Sequence, residues 1–167
     1  GDTGIGLSTR GEQFWLDPHR ANQIRPRARP RYTLTPTIVL RDNVPFLAIG
    51  TPGGDNQDQT ILQAFLNIIE FWSDWYPNLH DALQWPRIRT QHLHGSFWPH
   101  AAGFNQMDIE SAIAPEVTEE LRRRGHEINL VPPLGVSGCA TAVMIDPNST
   151  NRLAAADPRR DCYAIAY

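Results

Sequence analysis

Cysteine is scarce in this chain. Only Cys139 and Cys162 occur among 167 residues, which excludes a disulfide scaffold but leaves a single bridge open, and neither lies in a CxxC pattern. No run of about 18 apolar residues exists, so nothing in the chain is expected to span a membrane. Positive charge is not in excess. The formal net charge of -3 argues against general affinity for nucleic acid. No signal peptide opens the chain. Because Gly1-Asp2-Thr3 is not a natural start, the compartment stays open. The Lys-Ser/Thr of a phosphate-binding P-loop is absent, and no Cys or carboxylate stands at a convincing spacing from His92, His94 and His100 for zinc. No metal or cofactor is expected, and those histidines read best as partly exposed loop residues among aromatics.

What is present suits one domain over residues 1–167, long enough for a core of ordinary size. Residues 1–31 are rich in Gly, Arg and Pro and read as an extended approach. Arg20, Arg25, Arg27, Arg29 and Arg31 form a run that could meet phosphate or carboxylate or stand as a solvated loop. Tyr32–Leu40 is rich in β-branched residues and predicts a strand. Arg41-Asp42-Asn43 supplies turn chemistry, and Val44–Ile49 predicts the return strand of a hairpin. A helix capped by Asp55 or Asn56 is expected to run to about Phe71, with Ile61, Leu62, Phe65, Leu66, Ile68 and Ile69 making it largely buried. Shorter helices are expected over Leu79–Gln84 and Pro115–Arg124, the latter opened by proline and closed by Gly125. Strands are expected at Glu127–Val131, Cys139–Ile145, Arg152–Ala156 and Tyr163–Tyr167. Hairpins with separate helices indicate α+β, an antiparallel sheet covered by helices.

Thr51-Pro52-Gly53-Gly54-Asp55 falls where a strand ends and a buried helix begins. Backbone N–H groups there lack intrahelical partners, the helix dipole adds partial positive charge, and two glycines admit a substrate close to the backbone. Such a bend can serve as an oxyanion hole for acyl transfer. It is also an ordinary turn sequence. Thr3 is a second candidate, because an N-terminal threonine uses its own α-amine as base. It would gain that amine only by cleavage between Asp2 and Thr3. Asp157-Pro158-Arg159 can hold an ion pair near a strand end.

These pieces stand in a particular order: Arg29-Pro30, Thr33-Leu34-Thr35-Pro36, Leu40-Arg41-Asp42, Gly50-Thr51-Pro52-Gly53-Gly54-Asp55, Gln63 and Asn67. Ala82, Pro86-Arg87, Arg124-Gly125-His126-Glu127 and Asp157-Pro158-Arg159 follow. The ordered set resembles the small subunit of the gamma-glutamyltransferase family from Gly4 to Tyr167. The resemblance implies the N-terminal-nucleophile (Ntn) hydrolase fold, an αββα sandwich of two antiparallel sheets between helical layers, of which this chain is the C-terminal part. It implies a precursor that cuts itself, a larger N-terminal subunit as partner, and a small-molecule amide or gamma-glutamyl substrate. Gly1-Asp2-Thr3 looks like the cleavage junction, which makes Thr3 the nucleophile. Gly53 and Gly54 match the oxyanion glycines. Thr33 matches a residue near the substrate carboxylate, with Tyr32 its neighbour.

The chain departs from the family pattern in three places. A segment that normally follows the nucleophile, holding the first strands of the small subunit, is absent between Thr3 and Gly4. Gln13 stands where glutamyl-specific members carry an acidic residue for the substrate's α-amine, and Arg10 brings a positive charge instead. Ala28 replaces a family lysine. Gln13 and Arg10 resemble the acylase-like branch and favour an acyl group with a carboxylate and no free α-amine, although Glu12 could also reach the site. The missing segment and the retained Gly1-Asp2 motivate an alternative, a non-catalytic or unprocessed member of the same fold.

Overall fold

The computed structural model describes residues 2–6, 8–70, 78–146 and 149–165. Strand β1 (Thr37–Arg41) turns through Asp42 and Asn43 into β2 (Val44–Gly50). Both turn residues adopt positive φ, 52° and 65°. Asp and Asn tolerate that conformation better than other side-chain-bearing residues, and it matches the twist of a tight hairpin. The strand expected from Tyr32 begins only at Thr37. Pro36 has no N–H to offer a ladder, and Tyr32 and Thr33 are engaged at the site described below.

A single 3-10 turn, Gly54–Asn56, leads from the diglycine bend into helix α1 (Gln57–Glu70). Neither Asp55 nor Asn56 caps it in the expected way. Asp55 is bonded to Ser96, and Asn56 reaches Ser137. Ile61, Ala64 and Ile68 are buried, but Leu62 and Leu66 are exposed, so α1 is amphipathic rather than largely buried. Phe71 lies outside the described residues. Helix α2 (Leu79–Gln84) is capped by Asn78, whose side chain accepts from the Asp81 N–H at 2.9 Å.

Strands β3 (Ile88–Thr90) and β4 (Gln106–Glu110), helix α3 (Pro115–Arg123), and strands β5 (Glu127–Val131), β6 (Thr141–Ile145) and β7 (Arg152–Ala156) complete the described elements. Gly125 closes α3 at φ 95°. The four-stranded sheet, ordered β1-β2-β6-β7, is antiparallel throughout. The three-stranded sheet β3-β4-β5 departs from the all-antiparallel expectation. Strands β4 and β5 run parallel, joined across α3, because parallel neighbours need a crossover rather than a hairpin. Sequence reading missed β4. Met107 and Ile109 alternate with Asp108 and Glu110, residues poor in β propensity, and all four are buried. The expected final strand is not formed at residues 163–165, while Ala166 and Tyr167 lie outside the described residues.

The core lies between the four-stranded sheet and helices α1 and α2, where Leu47, Ile49, Ala142 and Met144 meet Ile61, Ala64, Ile68 and Leu83. The opposite sheet face carries Ile38, Ala48, Val143 and Ile145, all exposed. Cys139 and Cys162 form a bridge with Cα atoms 6.7 Å apart, which ties the segment after β7 to the start of β6. A buried charge quartet joins the sheets. Arg159 donates to both carboxylate oxygens of Glu110 at 2.9 and 2.8 Å and to Asp157 at 3.0 Å, and Arg87 Nη1 lies 2.5 Å from Asp157. Glu110 also accepts from the Arg87 and Val136 amides. Burial pushes the Arg87 pKa down against the pull of Asp157. Burial also opposes the Arg159 charge, but Glu110 and Asp157 outweigh it and raise that pKa.

Candidate active site

Thr51–Gly54 leaves the end of β2 and bends sharply. Gly53 has φ 147° and Gly54 φ 57°, values that side-chain-bearing residues rarely adopt. Space is not the constraint, since a Cβ on either glycine would meet only ordinary contacts of 3.6 Å or more. Among the described residues neither the Gly53 nor the Gly54 N–H is paired. Unpaired main-chain N–H groups of this kind can stabilise a developing oxyanion.

The bend rests on the loop before β6. The Cys139 amide donates to Thr51 Oγ1 at 2.9 Å, and Asn56 Nδ2 donates to the Ser137 carbonyl. Gly138 makes this approach possible, because a Cβ there would lie 2.7 Å from Thr60 Oγ1, and its φ is 117°.

A second cluster gathers four sequence-predicted residues. Arg10 Nη1 donates to Thr33 Oγ1 at 3.2 Å. Its Cζ lies 5.5 Å from the centre of the Tyr32 ring and 5.9 Å from that of Phe97. Gln13 is fully buried. With its amide turned so that the nitrogen donates to the Arg31 carbonyl, its oxygen accepts from Arg10 Nη1 at 3.0 Å. Gln13 therefore stands behind Arg10 and braces it. Gln57, turned in the same sense, donates to the Thr33 carbonyl at 3.1 Å and the Thr51 carbonyl at 3.2 Å, which links the arginine cluster to the diglycine bend.

An open cavity of about 560 Å³ adjoins the bend, lined in part by Arg31, Gly53, Gly54, Asp55, His94 and Phe97. Its wall is the segment 91–105. The Ser96 amide donates to Asp55 Oδ2 at 2.8 Å and its hydroxyl donates to Oδ1, while Arg31 donates to the His94 carbonyl at 2.8 Å. His94 and His100 pack against Trp15, with ring centres 5.4 and 4.1 Å away. Among the described residues no three His, Cys, Asp or Glu side chains converge in a way that could hold a metal ion. Gln59 and Gln63 on α1 pair with the main chain of Thr90 and Ile88 at 2.8–3.1 Å, so that a helix supplies the hydrogen bonds of a neighbouring strand.

Thr3 is exposed, and its hydroxyl accepts from the Ile5 amide at 3.4 Å. It does not line the cavity, and neither do Arg10, Tyr32 and Thr33, of which Arg10 approaches the cavity wall at Phe97. Sequence reasoning passed over Asp55 as a clamp, Gln57 as a link and Phe97 as a wall. The spacing of Gln59 and Gln63, four residues apart on one helix face, was a readable signal. The Asp55–Ser96 contact joins residues 41 positions apart and had none.

The family described as gamma-glutamyltranspeptidase matches residues 1–167. The chain is 29% identical over 166 residues to the glutathione hydrolase-like YwrD proenzyme of Bacillus subtilis, covering 99% of this chain and 30% of that protein. The solved cephalosporin acylase of Bacillus halodurans superposes with a TM-score of 0.76 at 29% identity, over 99% of this chain and 28% of that one. The solved structure of an LmbA2991 variant gives 0.84 at 38% identity, over 96% and 28%. The chain thus spans about 30% of the length of the relative it matches. Its α+β architecture is that of the Ntn-hydrolase gamma-glutamyltranspeptidase and acylase structures it matches. The family match over residues 1–167 makes this chain a member of the gamma-glutamyltranspeptidase family, on its acylase-like side.

Proposed function

We propose that this chain is the small-subunit part of an autoprocessed Ntn amidohydrolase or acyltransferase. Cleavage between Asp2 and Thr3 frees the threonine amine. Thr3 Oγ then attacks the amide carbon of the donor while the Thr3 amine takes the hydroxyl proton. The carbonyl oxygen becomes an oxyanion facing the Gly53 and Gly54 N–H groups. Collapse breaks the C–N bond, the amine returns the proton to the leaving nitrogen, and an acyl ester on Thr3 remains. Water or an acceptor amine attacks that ester and restores the hydroxyl. No metal or cofactor enters this scheme.

The observation that carries this reading is the unpaired pair of N–H groups at the Gly53–Gly54 bend, tied through Gln57 to the Arg10–Thr33 cluster. Thr33 and Arg10 suit a donor carboxylate, with Tyr32 beside them. Gln13 is neutral and its amide is already occupied, so it offers no charged partner to a substrate ammonium. The donor is therefore an amide whose acyl group bears a carboxylate and no α-amine. A larger N-terminal subunit from the same precursor completes the sandwich and the pocket, consistent with relatives that are proenzymes more than three times as long as this chain.

Mass analysis of the complete protein before and after incubation tests this reading. Two fragments parted at Asp2-Thr3, with Thr3 modified by an electrophile aimed at N-terminal threonines, are the expected result. A single uncut chain that neither labels nor hydrolyses amides would instead establish the binding-subunit alternative, which the exposed position of Thr3 outside the cavity favours.

A further inference from the structure

Arg10 is paired with no carboxylate among the described residues. Its partners are the neutral Thr33 hydroxyl and Gln13 amide, and its guanidinium lies within cation–ring distance of both Tyr32 and Phe97. An arginine flanked by rings and left without an acidic partner is available to an incoming anion, and the rings lower the local dielectric around it. Phe97 has a second contact. Its Cε2 lies 3.6 Å from where a Cβ on Gly54 would stand, so one ring touches both the cationic cluster and the oxyanion bend. Phe97 follows directly on Ser96, whose amide and hydroxyl are both held by Asp55, the residue after Gly54. The His100 amide closes the next turn by donating to the Phe97 carbonyl at 2.7 Å.

We infer that Phe97 is a specificity-determining positioning residue. It shields the Arg10 guanidinium from water and fixes its distance from the diglycine bend. It thereby selects acyl donors whose free carboxylate stands a set length from the scissile carbonyl. This rests on the proposed carboxylate-bearing donor. Phe97 makes no bond to the donor carboxylate. It acts through Arg10, by keeping the cation oriented and poorly screened.

The test uses the complete protein with glutaryl-p-nitroanilide, which carries the carboxylate, and butyryl-p-nitroanilide, which does not. Where turnover is absent the same ratio is read as equilibrium affinity. Phe97→Ala is expected to raise KM for the glutaryl donor about tenfold with kcat within about threefold, and to make that KM more dependent on salt. The glutaryl-to-butyryl ratio should fall equally in Arg10→Gln, and the double variant should be no worse than either single one. Phe97→Tyr should restore the ratio. Thermal unfolding of each variant separates these effects from loss of fold. If Arg10→Gln lowers the ratio while Phe97→Ala lowers both donors in equal proportion, or if the two effects multiply, the role given to Phe97 is wrong and the carboxylate-donor reading stands. If Arg10→Gln leaves the ratio unchanged, the carboxylate-donor reading itself is wrong.

Discussion

Ser96 holds both oxygens of Asp55, its amide on Oδ2 at 2.8 Å and its hydroxyl on Oδ1, and this contact pins the 91–105 segment to the residue that follows the diglycine. Asp55 also lies 3.6 Å from Arg31, but that pair is more than a third exposed and adds little. Replacing Asp55 with Ala therefore removes mainly the Ser96 bonds. The expected cost is about 1–3 kcal/mol of stability, with a rise in KM for the amide donor, read by thermal unfolding and steady-state kinetics. Asp55→Asn, which keeps one acceptor, should lose less.

Gly54→Ala tests the bend itself. A methyl group fits the space, with Phe97 at 3.6 Å, but φ 57° costs a side-chain-bearing residue about 1–2 kcal/mol. If the backbone relaxes, the N–H leaves its aim. The expected kcat loss is on the order of 100-fold with KM little changed, measured by single-turnover acylation of the complete protein.

Gly138→Ala separates support from chemistry. Its Cβ would lie 2.7 Å from Thr60 Oγ1 at a φ of 117°, on the loop beneath Thr51. The variant should unfold at a markedly lower temperature, and its loss of activity should follow its loss of folded protein.

The buried quartet predicts a large stability effect away from the site. Asp157→Ala strips Arg87 and Arg159 of a shared buried partner. The remaining uncompensated charge should cost about 3–5 kcal/mol, seen in denaturant unfolding. Replacing both Asp157 and Arg87 by apolar residues of similar volume should recover part of that loss, since the desolvation of both charges is then avoided.

Cys162→Ser opens a loop closed across a separation of 23 residues. Chain entropy assigns that closure about 3 kcal/mol. The variant, and the wild type under reductant, should show matching drops in unfolding free energy.

The diglycine bend was legible in sequence because its signals are local. Consecutive glycines between a β-branched strand and a helix mark a bend with unpaired donors, and the structure places Gly53 and Gly54 in one. Asp42-Asn43 marked the hairpin turn in the same way. Arg10, Gln13, Tyr32 and Thr33 were named through family resemblance, and the structure brings them into contact. How they meet was not legible, because Gln13 and Gln57 reach the carbonyl groups of Arg31 and Thr33, which are distant in sequence.

By itself the sequence determined the hairpin that leads into the bend and the helix that leaves it, since turn chemistry and apolar periodicity depend on neighbours along the chain. It could not decide that β4 runs parallel to β5, that Asp108 and Glu110 sit buried in a strand, or that Phe97 bridges Arg10 and Gly54. Only tertiary structure decided these. A buried carboxylate is tolerated only where a distant arginine meets it, and a ring becomes a wall only when a clamp 41 residues away holds its loop in place.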